Sequence, residues 1–93
     1  MILNFRCKET EIIFNRGQSR KFPPDVHRVA LRKLLQIHAA TSLDHLKIPP
    51  GNHLEELKNE RKGQHSIRIN DQWRICFKWD NGDARDVVIV DYH

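Results

Sequence analysis

Asn81-Gly82 stands between two runs of strand-forming residues, and no other dipeptide constrains this chain so tightly. A two-residue hairpin turn needs positive φ at its central positions, which Asn-Gly tolerates at little cost. Before the turn, Trp73, Ile75, Phe77 and Trp79 alternate with Arg74, Cys76 and Lys78. After it comes a strand over residues 84–92 that contains the apolar run Val87-Val88-Ile89-Val90. Period-two alternation marks a half-buried strand, so an antiparallel hairpin is expected with Asp80 opposite Asp83. Counting back from that pair puts Trp73 opposite Val90 and Arg74 opposite Ile89. Directly opposed residues share a face. Arg74, Cys76 and Lys78 are therefore expected beside Arg85, Val87, Ile89 and Asp91, with the Trp/Phe face turned to the core. Arg68, Arg74, Lys78 and Asp91 would then meet on one open surface. A different hairpin length would shift every one of these assignments.

Upstream, residues 1–6 read as a short first strand and residues 10–15 as a brief helix stopped at Gly17. Arg16, Arg20 and Lys21 fall in a basic, flexible loop. Pro23-Pro24-Asp25 opens a long helix, since proline suits the first turn and a carboxylate suits the positive helix end. Val26, Val29, Ala30, Leu34, Ile37 and Thr41 recur on it at helical spacing. Ser42 is a candidate cap for a further turn, and Ile48-Pro49-Pro50-Gly51 is expected to end helical structure. Residues 53–58 form a strand of imperfect alternation with a bulge, followed by a loop over 59–63, a strand over 64–69 and a turn at Asn70-Asp71. Early helices and a late antiparallel meander predict an α+β fold: two or three helices on one face of a mainly antiparallel twisted sheet, with the other face open.

Ninety-three residues suit a single domain spanning 1–93. No apolar run approaches the roughly 20 residues that cross a bilayer. Arg6, Lys8 and Glu9 interrupt any signal-peptide core, so a cytoplasmic protein with no membrane association is expected. The two cysteines, Cys7 and Cys76, belong to no Cys-x-x-Cys pair, and the six histidines show no ligand spacing; neither a metal site nor a cofactor is expected. The net charge of +4 is uneven. Residues 14–33 carry Arg16, Arg20, Lys21, Arg28, Arg32 and Lys33 against Asp25 alone, whereas residues 80–93 carry four aspartates against Arg85. A basic first half suits a polyanion or an acidic partner.

The last three residues, Asp91-Tyr92-His93, set an acid, a phenol and an imidazole at the end of a buried strand. Together with Trp73-Arg74-Ile75-Cys76-Phe77, the Asn-Gly turn, Pro49-Pro50-Gly51-Asn52, Leu57-Lys58, Arg61, Gly63 and the run from His65 to Arg74, they give a chain that resembles the HigB-type toxins of the RelE/ParE superfamily, close to the HigB/GraT group. The resemblance covers essentially the whole chain. It implies a microbial-RNase-like RelE fold and a ribosome-dependent messenger-RNA endonuclease that halts translation without a metal. It also implies a cognate HigA-like helix-turn-helix antitoxin, with operator DNA reached only through the toxin–antitoxin complex. Two other readings stand beside it: a ParE-like toxin that poisons gyrase, and a non-catalytic basic module that binds RNA or antitoxin.

The residue chemistry fits cleavage of RNA, whose 2′-hydroxyl is its own nucleophile. Such cleavage needs a base for the 2′ proton, an acid for the departing 5′-oxygen and cations for the developing phosphorane charge. Asp91 and His93 are the candidate base and acid, in either order. Arg74 and Lys58 are candidates to hold the scissile phosphate, and Tyr92 to stack on a base or orient the phosphate. Arg61, Lys62, Arg68 and Lys78 are candidate RNA-backbone contacts, as are Arg16, Arg20 and Lys21 for ribosomal RNA. Some family members place a histidine at the position of Glu55, where this chain has a carboxylate. Either Glu55 serves as the base or the C-terminal set carries the role. A carboxylate of ordinary pKa is a poor acid near pH 7, which implies slow chemistry.

Overall fold

The computed structural model describes residues 1–58 and 63–91. Helices α1 (Lys8–Phe14) and α2 (Pro24–Ala39) precede two 3-10 turns, Leu43–Lys47 and Pro50–Asn52. Strands β1 (Glu55–Glu56), β2 (Gln64–Arg68), β3 (Trp73–Asp80) and β4 (Asp83–Asp91) follow and form one antiparallel sheet in the order β1-β2-β3-β4. This is the expected α+β arrangement. Among the described residues no helix is long and apolar enough to cross a membrane.

Helix α2 begins where the two prolines and Asp25 predict, with Pro24 in its first turn. Val26, Ala30, Leu34 and Ile37 are buried against Ile67, Ile75, Phe77, Val87 and Ile89. Each of these side chains other than Ala30 contributes about 1.5–3 kcal/mol of apolar burial. Lys33 lies on the same buried stripe, three residues after Ala30 and four before Ile37. Helix α1 is tied to the sheet by the Thr10 hydroxyl, which accepts the Ile89 N–H at 3.0 Å. Past α1, Arg16 takes the left-handed conformation (φ 65°), not Gly17. Gly17 instead permits a close approach, since a Cβ there would lie 2.9 Å from Ile12 Cγ2.

Three expectations need correction. Helical structure does not stop at the prolines, because Pro50–Asn52 makes one more 3-10 turn. The strand expected over residues 53–58 is regular only at Glu55–Glu56, and His53 is left-handed (φ 45°). The first segment is not a regular strand: it touches β4 through two isolated parallel bridges, Ile2 with Ala84 and Phe5 with Val87.

The hairpin register also departs from the expected one. The turn itself is as expected, with Asn81 and Gly82 at φ 52° and 81° and Asp80 opposite Asp83. Lys78 pairs with Arg85, but the next pair is Cys76 with Val88. A bulge leaves an extra residue opposite Phe77. Asp86 absorbs it at φ 51°, held by the Asn4 side chain, which donates to Asp86 Oδ1 at 2.8 Å and accepts the Asp86 N–H at 3.1 Å. Every later pair is shifted by one, so Arg74 stands opposite Val90 and Trp73 opposite Asp91. Burial explains the shift. The unbulged register would turn Val87 and Ile89 away from the helices, whereas both are buried in the core at 0% and 3% exposure.

Candidate functional site

The open sheet face is built from the residues that alternate with the core. Glu55 stands opposite Ser66, Ser66 opposite Cys76, and Arg68 opposite Arg74, so these five side chains share one face. The bulge adds Val88 and Val90 to it as an apolar floor and removes Asp91, which shares the parity of Trp73 and Ile75. The expected meeting of Asp91 with Arg74 on that face therefore does not form through the strand register. Asp91 accepts a hydrogen bond from Gln72 Nε2 at 3.2 Å. It lines a cleft of about 480 Å³ with Arg6, Lys21 and Trp73. Tyr92, His93, Arg61 and Lys62 lie outside the described residues.

Arg74 is the centre of the open face. It is only 7% exposed, unusual for an arginine without a fixed set of acceptors. Its Nε donates to Ser66 Oγ at 2.9 Å, and its Nη2 to the Ser66 carbonyl at 3.4 Å and to the His53 carbonyl. Its Nη1 lies 3.8 Å from Glu55 Oε1. The guanidinium plane is thus fixed by neutral acceptors along one edge, with a half-exposed carboxylate on another. Lys58 is exposed just beyond β1. Lys78 sits farther along β3, paired with Asp86 at 3.3 Å. That pairing and the Asn4 hydrogen bond hold the Asp86 carboxyl below its usual range, with the Asn4 contact the larger cause. Arg68 pairs with Asp71 across the turn.

The basic loop is anchored in its middle. Ser19 is buried, its hydroxyl donates to Glu9 Oε1 at 2.6 Å, and its backbone meets His27 Nε2. Arg16, Arg20 and Lys21 remain exposed around that anchor. Lys21 Nζ lies 3.9 Å from Cys7 Sγ and over the Phe22 ring. The Cys7 thiol is lowered in pKa. Burial is the largest single influence and opposes the shift; backbone hydrogen bonds at the start of α1 and the Lys21 charge outweigh it.

Ser66, the His53 carbonyl, Asn52 and Lys33 were not legible as site residues. Asn52 is fully buried. It accepts from Lys33 Nζ at 2.7 Å and donates to Gln36 Oε1 and to the Leu46 carbonyl, each at 3.1 Å. The Lys33 ammonium is lowered in pKa, first by burial and then by the Arg32, Arg68 and Arg74 charges. One signal pointed to Lys33: a lysine at core spacing on an apolar helix stripe. Among the described residues no three His, Cys, Asp or Glu side chains gather as a metal-ligand set.

Comparison with known proteins gives a consistent picture. The model of a family described as RelE-like toxin of the type II toxin–antitoxin system HigB matches residues 3–93. Toxin HigB-1 of Vibrio cholerae serotype O1 is 38% identical over 90 residues, covering 96% of this chain and 95% of that protein. Endoribonuclease HigB of Proteus vulgaris is 36% identical over 94 residues, covering 100% of both.

Proposed function

Because this chain belongs to the HigB-like family of RelE-like toxins of type II toxin–antitoxin systems, we propose that it is a messenger-RNA endonuclease that works on the translating ribosome without a metal. The observation that carries this reading is the buried Arg74 guanidinium, fixed by Ser66 and His53 beside Glu55 on the open sheet face. The likeness to an endoribonuclease along its whole length supports it.

In the proposed reaction a base removes the 2′-hydroxyl proton, the 2′-oxygen bonds to phosphorus, and the P–O5′ bond breaks as an acid protonates the 5′-oxygen. Arg74 and Lys58 stabilise the phosphorane charge, and a pre-oriented fork in a dry setting does so without reorganising. Glu55, next to Arg74, is the candidate base on this face. His93 supplies the remaining proton transfer, with Tyr92 orienting the phosphate or stacking on a base, while Asp91, on the other face of β4 from Arg74, takes no step at this phosphate. Arg61, Lys62, Arg68 and Lys78 grip the RNA backbone, and Arg16, Arg20 and Lys21 grip ribosomal RNA. The ribosome supplies substrate positioning, which can account for much of the barrier lowering.

Membership of a type II family implies an antitoxin partner. We infer a HigA-like helix-turn-helix protein that also carries the toxin to operator DNA. The cytoplasm, where messenger RNA is translated, is the expected compartment.

Translation of a defined message on purified ribosomes, with mapping of the new 5′ ends, tests the reading. Discrete cuts by the wild type, weakened in Arg74→Lys and in the variant lacking His93, are expected. Identical patterns from all three would remove the assignment, and intact messages with gyrase-dependent DNA breaks would point to the other toxin class.

A further inference from the structure

Lys33 and Asn52 stand behind the open face in a connected chain of contacts. Lys33 Nζ donates to Asn52 Oδ1 at 2.7 Å, and both residues are buried. Asn52 Nδ2 donates to Gln36 Oε1, to the Leu46 carbonyl and, at 3.4 Å, to the Ile48 carbonyl. One amide thus ties helix α2 to both 3-10 turns. The next residue, His53, is held left-handed at φ 45° and ψ 57°, a conformation that is uncommon without glycine and persists only when its surroundings impose it. Its carbonyl receives Arg74 Nη2. Ser66 binds the Nε edge of the same guanidinium, and Glu55, two residues after His53, lies beside Nη1.

We propose that Lys33 and Asn52 are positioning residues for RNA cleavage: they fix the His53 carbonyl, which sets the plane of the Arg74 guanidinium against the scissile phosphate. The inference rests on the reading of Arg74 as the phosphate-holding cation. Both residues are buried, at 7% and 0% exposure, so their role is through Arg74 and not by contact. A buried ammonium is an expensive way to hold a loop, because an ammonium loses its hydration while an apolar side chain of the same length does not. What the ammonium supplies is a directional donor that selects the orientation of the Asn52 amide, with Oδ1 toward Lys33 and Nδ2 toward Gln36 and the Leu46 carbonyl. A misplacement of about 1 Å in a group that holds a reacting phosphate costs on the order of 100-fold in rate.

The test measures single-turnover cleavage on purified, programmed ribosomes at saturating toxin, together with the toxin concentration giving half-maximal rate and the thermal midpoint of each free toxin. The variants are Lys33→Met, Asn52→Ala, Arg74→Lys and the Lys33→Met/Arg74→Lys double variant. Lys33→Met keeps the side-chain length and removes the buried charge, so it tests positioning even where Asn52→Ala does not fold. The expected result is a folded Lys33→Met protein whose maximal rate falls by about 10- to 100-fold with an unchanged half-maximal concentration. In the Arg74→Lys background Lys33→Met should add less than about threefold, because the two act through one group. A folded Lys33→Met protein that cleaves at the wild-type rate would overturn the inference, as would fully multiplicative losses in the double variant. If Arg74→Lys itself cleaves like wild type, the reading of Arg74 fails and the inference falls with it.

Discussion

Glu55 and Arg74 face each other across β1, β2 and β3, with Oε1 and Nη1 3.8 Å apart. The arginine is 9% exposed at its side chain and the carboxylate 50%. This asymmetry lets the pair divide its work. The arginine, immobilised by Ser66 and His53, serves as a preset cation, and the carboxylate keeps access to solvent and to a substrate hydroxyl. Replacing Glu55 with Gln keeps the shape and removes the base. Cleavage on programmed ribosomes is expected to slow by about 100-fold or more if the carboxylate takes the 2′ proton. Glu55→His would restore a group that titrates near neutrality and is expected to cleave faster than wild type at pH 7. An unchanged rate in Glu55→Gln would assign all proton transfer to the C-terminal residues.

Asp86 provides a second prediction, on the folding side. Its side chain holds the bulge through Asn4 and Lys78, and these contacts lower its carboxyl pKa. A depressed folded-state pKa stabilises the protein above the unfolded value, and that contribution is lost as pH falls through the folded value. Asp86→Asn tolerates the left-handed backbone and can still accept the Asn4 hydrogen bond, but it does not titrate. Denaturant unfolding between pH 7 and pH 2 should show the stability gap between wild type and Asp86→Asn shrinking as the acid range is entered. Asp86→Val, β-branched at φ 51°, is expected to cost about 1–3 kcal/mol at every pH.

The fold was largely legible because its signals are local. The Asn81-Gly82 turn, the Trp73–Trp79 alternation and the Pro24-Asp25 helix start each depend on a few neighbouring residues. The bulge was not, since nothing near Asp86 announces it. Asn4, 82 residues away, holds it, and the demand that both Val87 and Ile89 be buried drives it. One inserted residue then moved Asp91 to the other face and undid the surface that the plain hairpin count predicts. Arg74 was legible as a site residue from its position on the polar face. Its supports were hidden, because a backbone carbonyl at His53 and a serine at Ser66 carry no pattern of their own.

The basic loop supplies a prediction on binding rather than chemistry. Arg16, Arg20 and Lys21 are exposed around the buried Ser19, so they can meet phosphates without disturbing the core. Replacing all three with Gln should leave the thermal midpoint and the maximal cleavage rate within about twofold of wild type. The toxin concentration for half-maximal cleavage should rise, and the slope of log affinity against log salt should flatten by up to about 2–3 units, since each lost phosphate contact removes about 0.7–0.9. An unaltered salt slope would show that these cations face solvent or a protein partner.

Lys33 closes the set with a pH signature that separates its charge from its packing. Burial, reinforced by Arg32, Arg68 and Arg74, lowers its pKa from the ordinary value of 10.5. Between that lowered value and 10.5 the unfolded chain binds more protons at this position than the folded one, so raising pH favours the folded state. Lys33→Met abolishes the effect. Near neutrality the variant loses the bond to Asn52 but also the cost of burying an ammonium, and the two chains should differ by less than about 2 kcal/mol. As pH rises towards 10.5, wild type should gain stability relative to Lys33→Met, and the sign of that difference is independent of every other titrating group common to both. Parallel unfolding curves across that range would mean that the Lys33 ammonium is as well solvated in the folded protein as in the unfolded chain.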